Sequence, residues 1–196
     1  MSSVQLVLAT HNAHKVDELR RILGPQLDGI ELIGYDGPEP VEDADTFEGN
    51  ALIKARAAAL HTGLAAIADD SGISVAALGG APGIHSARYA GTRNDHDNLA
   101  LLIENLGDTA DRAATFSCAA ALVIGQFEHV ELGVWPGTVL REPAGGGGFG
   151  YDPIFKPDGL SVSAAEMRPD EKNAVSHRAR AFGQIMPVVR QKLLGA

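Results

Sequence analysis

A mixed α/β sheet is the fold class that this chain predicts. Apolar, strand-like runs alternate with stretches of 3.6-residue periodicity. One pair of strand-like runs is joined by only two residues, which makes that pair antiparallel within an otherwise alternating αβ pattern. With 196 residues, 45% of them hydrophobic and 21% charged, the chain is long enough to bury a sizeable core, as one large domain or as two lobes.

The elements follow in order. Residues 4–9 form an apolar strand-like run, after which Val16, Leu19, Ile22 and Leu23 recur at helical spacing. Residues 36–45, with Pro38 and Pro40, read as an exposed acidic loop. Thr46 is suited to cap a helix reaching about residue 61, with Phe47, Ala51, Ala55 and Ala58 on one face. Residues 65–68 predict a short strand that stops at Asp69-Asp70, and residues 79–83 a glycine-rich turn. A helix over 95–106 presents Leu99, Leu102, Ile103 and Leu106. In 113–124 the residues Phe116, Cys118, Ala120, Leu122 and Ile124 alternate as in a strand. Gly125-Gln126 then turns the chain into a return strand through Val130, Leu132 and Val134. The last helix, from about 177, is expected to bury Phe182, Ile185, Val189 and Leu193, with Pro187 as a kink point.

Composition narrows the partners. A net charge of −9 disfavours binding to a nucleic-acid polymer. The single cysteine, Cys118, rules out an intrachain disulfide and suits a reducing, cytoplasmic setting; its place in the apolar alternation makes it a small core residue. No secretory signal pattern and no 18-residue apolar run is present, so no membrane attachment is expected.

Four segments carry chemistry. Thr10-His11-Asn12-Ala13-His14-Lys15 lies where a strand gives way to a helix. Helix-start amides favour an anion there, and Lys15 adds a full positive charge. His11 and His14 stand at i, i+3 without a third ligand of matching spacing, so solvent exposure is expected for both. Asp69-Asp70-Ser71-Gly72 ends an apolar run; alternation puts only one aspartate on any given face. Such a carboxylate can ligate Mg²⁺ or orient a water, whereas Asp-Ser-Gly equally suits an Asx-turn. Glu42 or Glu48 can supply a second acid. The run 145–150 contains a literal G-x-G-x-x-G, but Pro143 precedes it and Tyr151-Asp152-Pro153 follows, so it lacks the strand and helix of a dinucleotide fold. Its glycines instead allow close backbone approach to a flat ligand, on which Phe149 or Tyr151 can stack and from which Asp152 can accept. A glycine-rich hairpin loop with core aromatics explains the same residues. Ser176-His177-Arg178, with Lys172 before it, offers donors to a base carbonyl or a phosphate, or else a capped helix start with solvated basic groups.

The order of these segments resembles the non-canonical purine nucleoside triphosphate pyrophosphatases, the inosine triphosphate pyrophosphatase family. Besides those segments, Thr46-Phe47-Glu48-Gly49-Asn50-Ala51 with Lys54-Ala55, Leu78-Gly79-Gly80-Ala81-Pro82-Gly83 with Ser86-Ala87-Arg88-Tyr89, and Trp135-Pro136-Gly137 match. The resemblance covers essentially the whole chain. It implies a single domain over 1–196 with a two-lobed α/β fold, a central mixed sheet flanked by helices and a deep substrate cleft between the lobes, usually as a homodimer. It also implies hydrolysis of ITP, dITP and XTP to the monophosphate and pyrophosphate with Mg²⁺. By motif, the triphosphate would lie on Thr10, His11, Asn12, Ala13, His14 and Lys15, chiefly through Thr10, Asn12 and Lys15, with Lys54 as a further phosphate contact. Asp70, with Asp69 beside it, looks like general base and metal ligand, and Glu42 like the second metal ligand. Ser71, Phe149, Gly150, Tyr151, Asp152, Lys172, His177 and Arg178 look like nucleoside contacts. Many relatives carry an acid immediately before the asparagine at 50; here that place is Gly49 and the acid is Glu48, which stays off the ligand set. A pyrophosphatase for other modified nucleotides and a non-catalytic nucleotide-binding module are the competing readings.

Overall fold

The computed structural model describes residues 3–11 and 13–195; Asn12 and the side chains of Ala13 and His14 lie outside the described residues. Six strands form one sheet in the order β2-β1-β3-β4-β5-β6. They are β1 (Val4–Leu8), β2 (Ile30–Gly34), β3 (Ala65–Val75), β4 (Ala113–Ile124), β5 (Phe127–Val139) and β6 (Phe155–Pro157). β1 is parallel to β2 and to β3, and β5 is antiparallel to β6, so the sheet is mixed as expected. Among the described residues five α-helices accompany it: α1 (Ala13–Leu23), α2 (Phe47–Thr62), α3 (Asp95–Leu106), α4 (Pro169–Val175) and α5 (His177–Leu194). None of the described helices is long and apolar enough to cross a membrane.

The chain divides into two compact units. The first comprises Met1–Asp70, Cys118–Gly133 and Arg178–Ala196; the second comprises Ser71–Ser117 and Val134–His177.

In the first unit the central strands are buried on both faces, and strand alternation sorts their side chains into two cores. Leu6, Leu8, Ile67, Cys118, Ala120 and Leu122 meet Leu19 and Leu23 of α1 and Phe182, Ile185 and Val189 of α5. Val7, Ala66, Ala68, Ala119, Ala121 and Val123 meet Ala51, Ala55 and Ala58 of α2. The small residues on both sides of that second contact let the helix backbone come close to the sheet. α2 starts where its cap predicts, with the Thr46 hydroxyl accepting from the Gly49 amide at 3.0 Å. The Cys118 thiol is fully buried, and burial pushes it up to about 12.

In the second unit Leu99, Leu102 and Leu106 of α3 pack with Ile73, Val75, Phe116, Trp135, Val139 and Phe155. Two sequence boundaries are corrected. β3 does not stop at Asp69-Asp70 but runs to Val75, because Ile73 and Val75 are buried in the second unit's core and carry the strand onward. The return strand β5 likewise continues to Val139. β2, β6 and α4 had no counterpart in the sequence reading.

Candidate active site

Consecutive aspartates on β3 face different partners. Asp69 is 3% exposed. Its Oδ2 accepts from Arg178 Nη2 at 3.0 Å and lies 3.3 Å from Lys15 Nζ. Burial alone would raise its pKa, but the Lys15 and Arg178 cations outweigh burial and hold the carboxyl well below the usual carboxylate range. Arg178 is buried too, with Nη1 donating to Glu18 at 3.2 Å. Its guanidinium therefore serves two carboxylates of its own unit.

Asp70 meets Lys54 of α2, whose ammonium donates to Asp70 Oδ1 at 3.0 Å and to Glu42 Oε2 at 3.2 Å. Burial raises the Asp70 pKa, and the neighbouring Glu42 and Asp69 charges add to that against the opposing pull of Lys54. Burial works against the Lys54 charge, yet the surrounding carboxylates raise its pKa. Asp70 Oδ2 is buried without a hydrogen-bond partner among the described residues. A buried, unsatisfied carboxylate oxygen is costly unless a proton or a cation supplies the missing contact. Among the described residues no group of three or more His, Cys, Asp or Glu is placed to hold a metal; the carboxylates available are the pair that share Lys54.

The loops around these acids are tied down. His11 is exposed, as expected, and is also held: its Nε2 lies 2.8 Å from the Gly37 carbonyl, its Nδ1 3.3 Å from Glu39, and its ring against Tyr35. These contacts fasten the Thr10–Lys15 motif to the acidic loop that bears Glu42. Thr10 is half-buried. Gly49 also gains a reason: a Cβ there would stand 2.6 Å from the Ala44 Cβ, while Asn50 Oδ1 accepts the Ala44 amide at 3.0 Å. The helix start thus admits the acidic loop at close range.

In the second unit, residues 149–152 form a braced platform. Asp152 is 2% exposed, and its Oδ2 accepts from the Phe149 amide at 2.8 Å and from the Lys172 ammonium. The same ammonium lies over the Phe149 ring, 4.9 Å from its centre, and that ring is 49% exposed. Tyr151 is buried with its hydroxyl on the Ser86 carbonyl at 2.8 Å, and burial raises its pKa. Phe149 is therefore the aromatic with an accessible face. His177 is buried with its ring stacked 4.7 Å from Phe116 and 6.2 Å from Trp135. Sequence reasoning had no role for Phe116 or Glu18; alternation placed Phe116 in the core without revealing the imidazole beside it.

A sequence profile of the Ham1 family matches residues 6–188. The chain belongs to the Ham1 family. A dITP/XTP pyrophosphatase from Leifsonia xyli is 59% identical, with 95% of this chain and 96% of that protein covered. The dITP/XTP pyrophosphatase of Mycobacterium tuberculosis is 50% identical, with 97% and 98% covered. The solved structure of a HAM1 protein from Coxiella burnetii superposes with a TM-score of 0.87 at 42% identity, covering 95% of this chain and 98% of that one. The Ham1 fold is thus the fold of this chain.

Proposed function

We propose that this Ham1-family protein is a nucleoside triphosphate pyrophosphatase, hydrolysing ITP, dITP and XTP to the monophosphate and pyrophosphate and so clearing them from the nucleotide pool. Its relatives bear the name dITP/XTP pyrophosphatase. The observation that carries the reading is the division of labour on β3: one aspartate held ionised by two cations, its neighbour buried, raised in pKa and left with an open oxygen. Groups whose environments push their pKa values apart mark acid–base chemistry.

The Asp70 oxygen and the adjacent Glu42 carboxylate would hold a Mg²⁺, a hard cation that prefers oxygen donors. Bound there, Mg²⁺ would offset charge on the phosphates and polarise water. Asp70 takes a proton from the water that attacks the α-phosphorus in line. The bond from that phosphorus to the bridging oxygen breaks, and pyrophosphate leaves with the electron pair. Thr10, Asn12, Lys15 and Lys54 hold the triphosphate, and the lysines stabilise charge gathering on its oxygens. Asp69 holds the Lys15 ammonium in place. Phe149, stiffened from behind by Lys172, offers its open face to a purine. Ser71 and His177 complete the nucleoside contacts. A carbonyl at purine position 6 accepts a hydrogen bond where adenine's amino group would face a donor, so a buried donor at His177 disfavours adenine. We assign the working form as a homodimer, as the family resemblance implies, in the cytoplasm without a membrane partner, and the net charge of −9 disfavours a nucleic-acid polymer as partner.

The test is ITP with Mg²⁺, repeated with a chelator, with phosphorus products resolved. Pyrophosphate and IMP, lost on chelation, are expected. Orthophosphate as the first product, or turnover indifferent to chelation, would overturn the reading; binding of ITP with no turnover would favour a nucleotide-binding module.

A further inference from the structure

The Gly150 amide donates to Asp95 Oδ2 at 2.8 Å, although the two residues are 55 positions apart. Asp95 is the first residue of α3, whose own amides His96 and Asp97 are capped by Asn94. The helix start therefore has its cap without Asp95, and the Asp95 carboxylate is spent on the loop. That loop turns through left-handed backbone: Gly145, Gly148 and Gly150 all have positive φ (83°, 72° and 61°). A cavity of about 290 Å³, lined by Asp95, His96, Leu99, Pro143, Pro153 and residues 145–150, lies beside it. With open space there, packing does little on that side to fix the loop, and the Asp95 bond falls at the residue between Phe149 and Tyr151.

We infer that Asp95 is a positioning residue for base recognition: by holding the Gly150 amide it sets the angle of the Phe149 ring that receives the purine. The substrate half of this inference rests on the function proposed above; the brace does not. Asp152 fixes the Phe149 amide and Lys172 covers one ring face, so Asp95 supplies the restraint from the α3 side.

The experiment compares Asp95→Ala with Asp95→Asn. Asparagine keeps an acceptor oxygen but not the charge that favours a helix start. Backbone amide exchange of the peptide covering 145–152 is measured in the free protein, alongside Tm, and KM and kcat for ITP. Both variants lose the same helix-start charge and lower Tm, and Asp95→Ala, which also loses the hydrogen bond, lowers it further. In Asp95→Ala the peptide exchanges faster and KM rises about three- to tenfold with kcat changed less than about twofold, the size expected for one lost hydrogen bond. In Asp95→Asn both stay near wild type. Unchanged exchange in Asp95→Ala, or an asparagine variant as impaired as the alanine one, overturns the brace. Faster exchange with an unmoved KM overturns the role in recognition. A wild-type protein that does not turn over ITP defeats the function proposed above, and the exchange comparison still decides the brace.

Discussion

Asp69 and Asp70 differ by one position and by nearly everything else. Strand alternation made it legible that they would face apart. Which cation each would meet was not, because Arg178 reaches Asp69 across 109 residues. Replacing Asp70 by Asn keeps its shape and removes the proton acceptor; pyrophosphate release should fall at least about a hundredfold, read by steady-state assay. Asp69→Asn should act on stability as well. It strips buried Arg178 of the Asp69 charge and should cost about 3 kcal/mol in urea unfolding. The same residue sets a pH dependence. Its folded pKa lies below its unfolded value, so its stabilisation is fully present above about pH 4 and is lost as pH falls through the folded value. Wild type should therefore lose stability on acidification below about pH 4 more steeply than Asp69→Asn, whose baseline is lower but flatter.

At the scale of elements, α2, α3 and β4 were readable because periodicity, cap and boundary agreed. Thr46→Ala removes the acceptor of the Gly49 amide at the start of α2 and should lower stability by about 1 kcal/mol in the same denaturant assay. β3 was read short because Asp-Asp-Ser-Gly resembles a turn; buried Ile73 and Val75 carry the strand on, and its carboxylates are accommodated by cations on α1, α2 and α5 that no local pattern encodes. β6, three residues long, has no period to read. Its pairing with β5 depends on Gly137, where a Cβ would collide with the Lys156 carbonyl and the Phe155 ring. Gly137→Ala should thus cost about 2 kcal/mol, an overpacking penalty checked by thermal melting.

Over the whole molecule, the family was legible from seven dispersed motifs, while the two units were not, since each is assembled from separated stretches of chain. Two of their four chain boundaries fall inside motifs, between Asp70 and Ser71 and between His177 and Arg178. A tripeptide that reads as one cluster therefore contributes His177 to one unit and Arg178 to the other. Light scattering tests the proposed assembly, with a mass of twice the 20.5 kDa chain expected. Cys118 has a further consequence at this scale. Its sulfur, sealed mid-β4 and scarcely ionised at neutral pH, reacts with a chromogenic disulfide only while the sheet is open, so the colour that develops over hours would clock how often the native chain comes apart, with no label added.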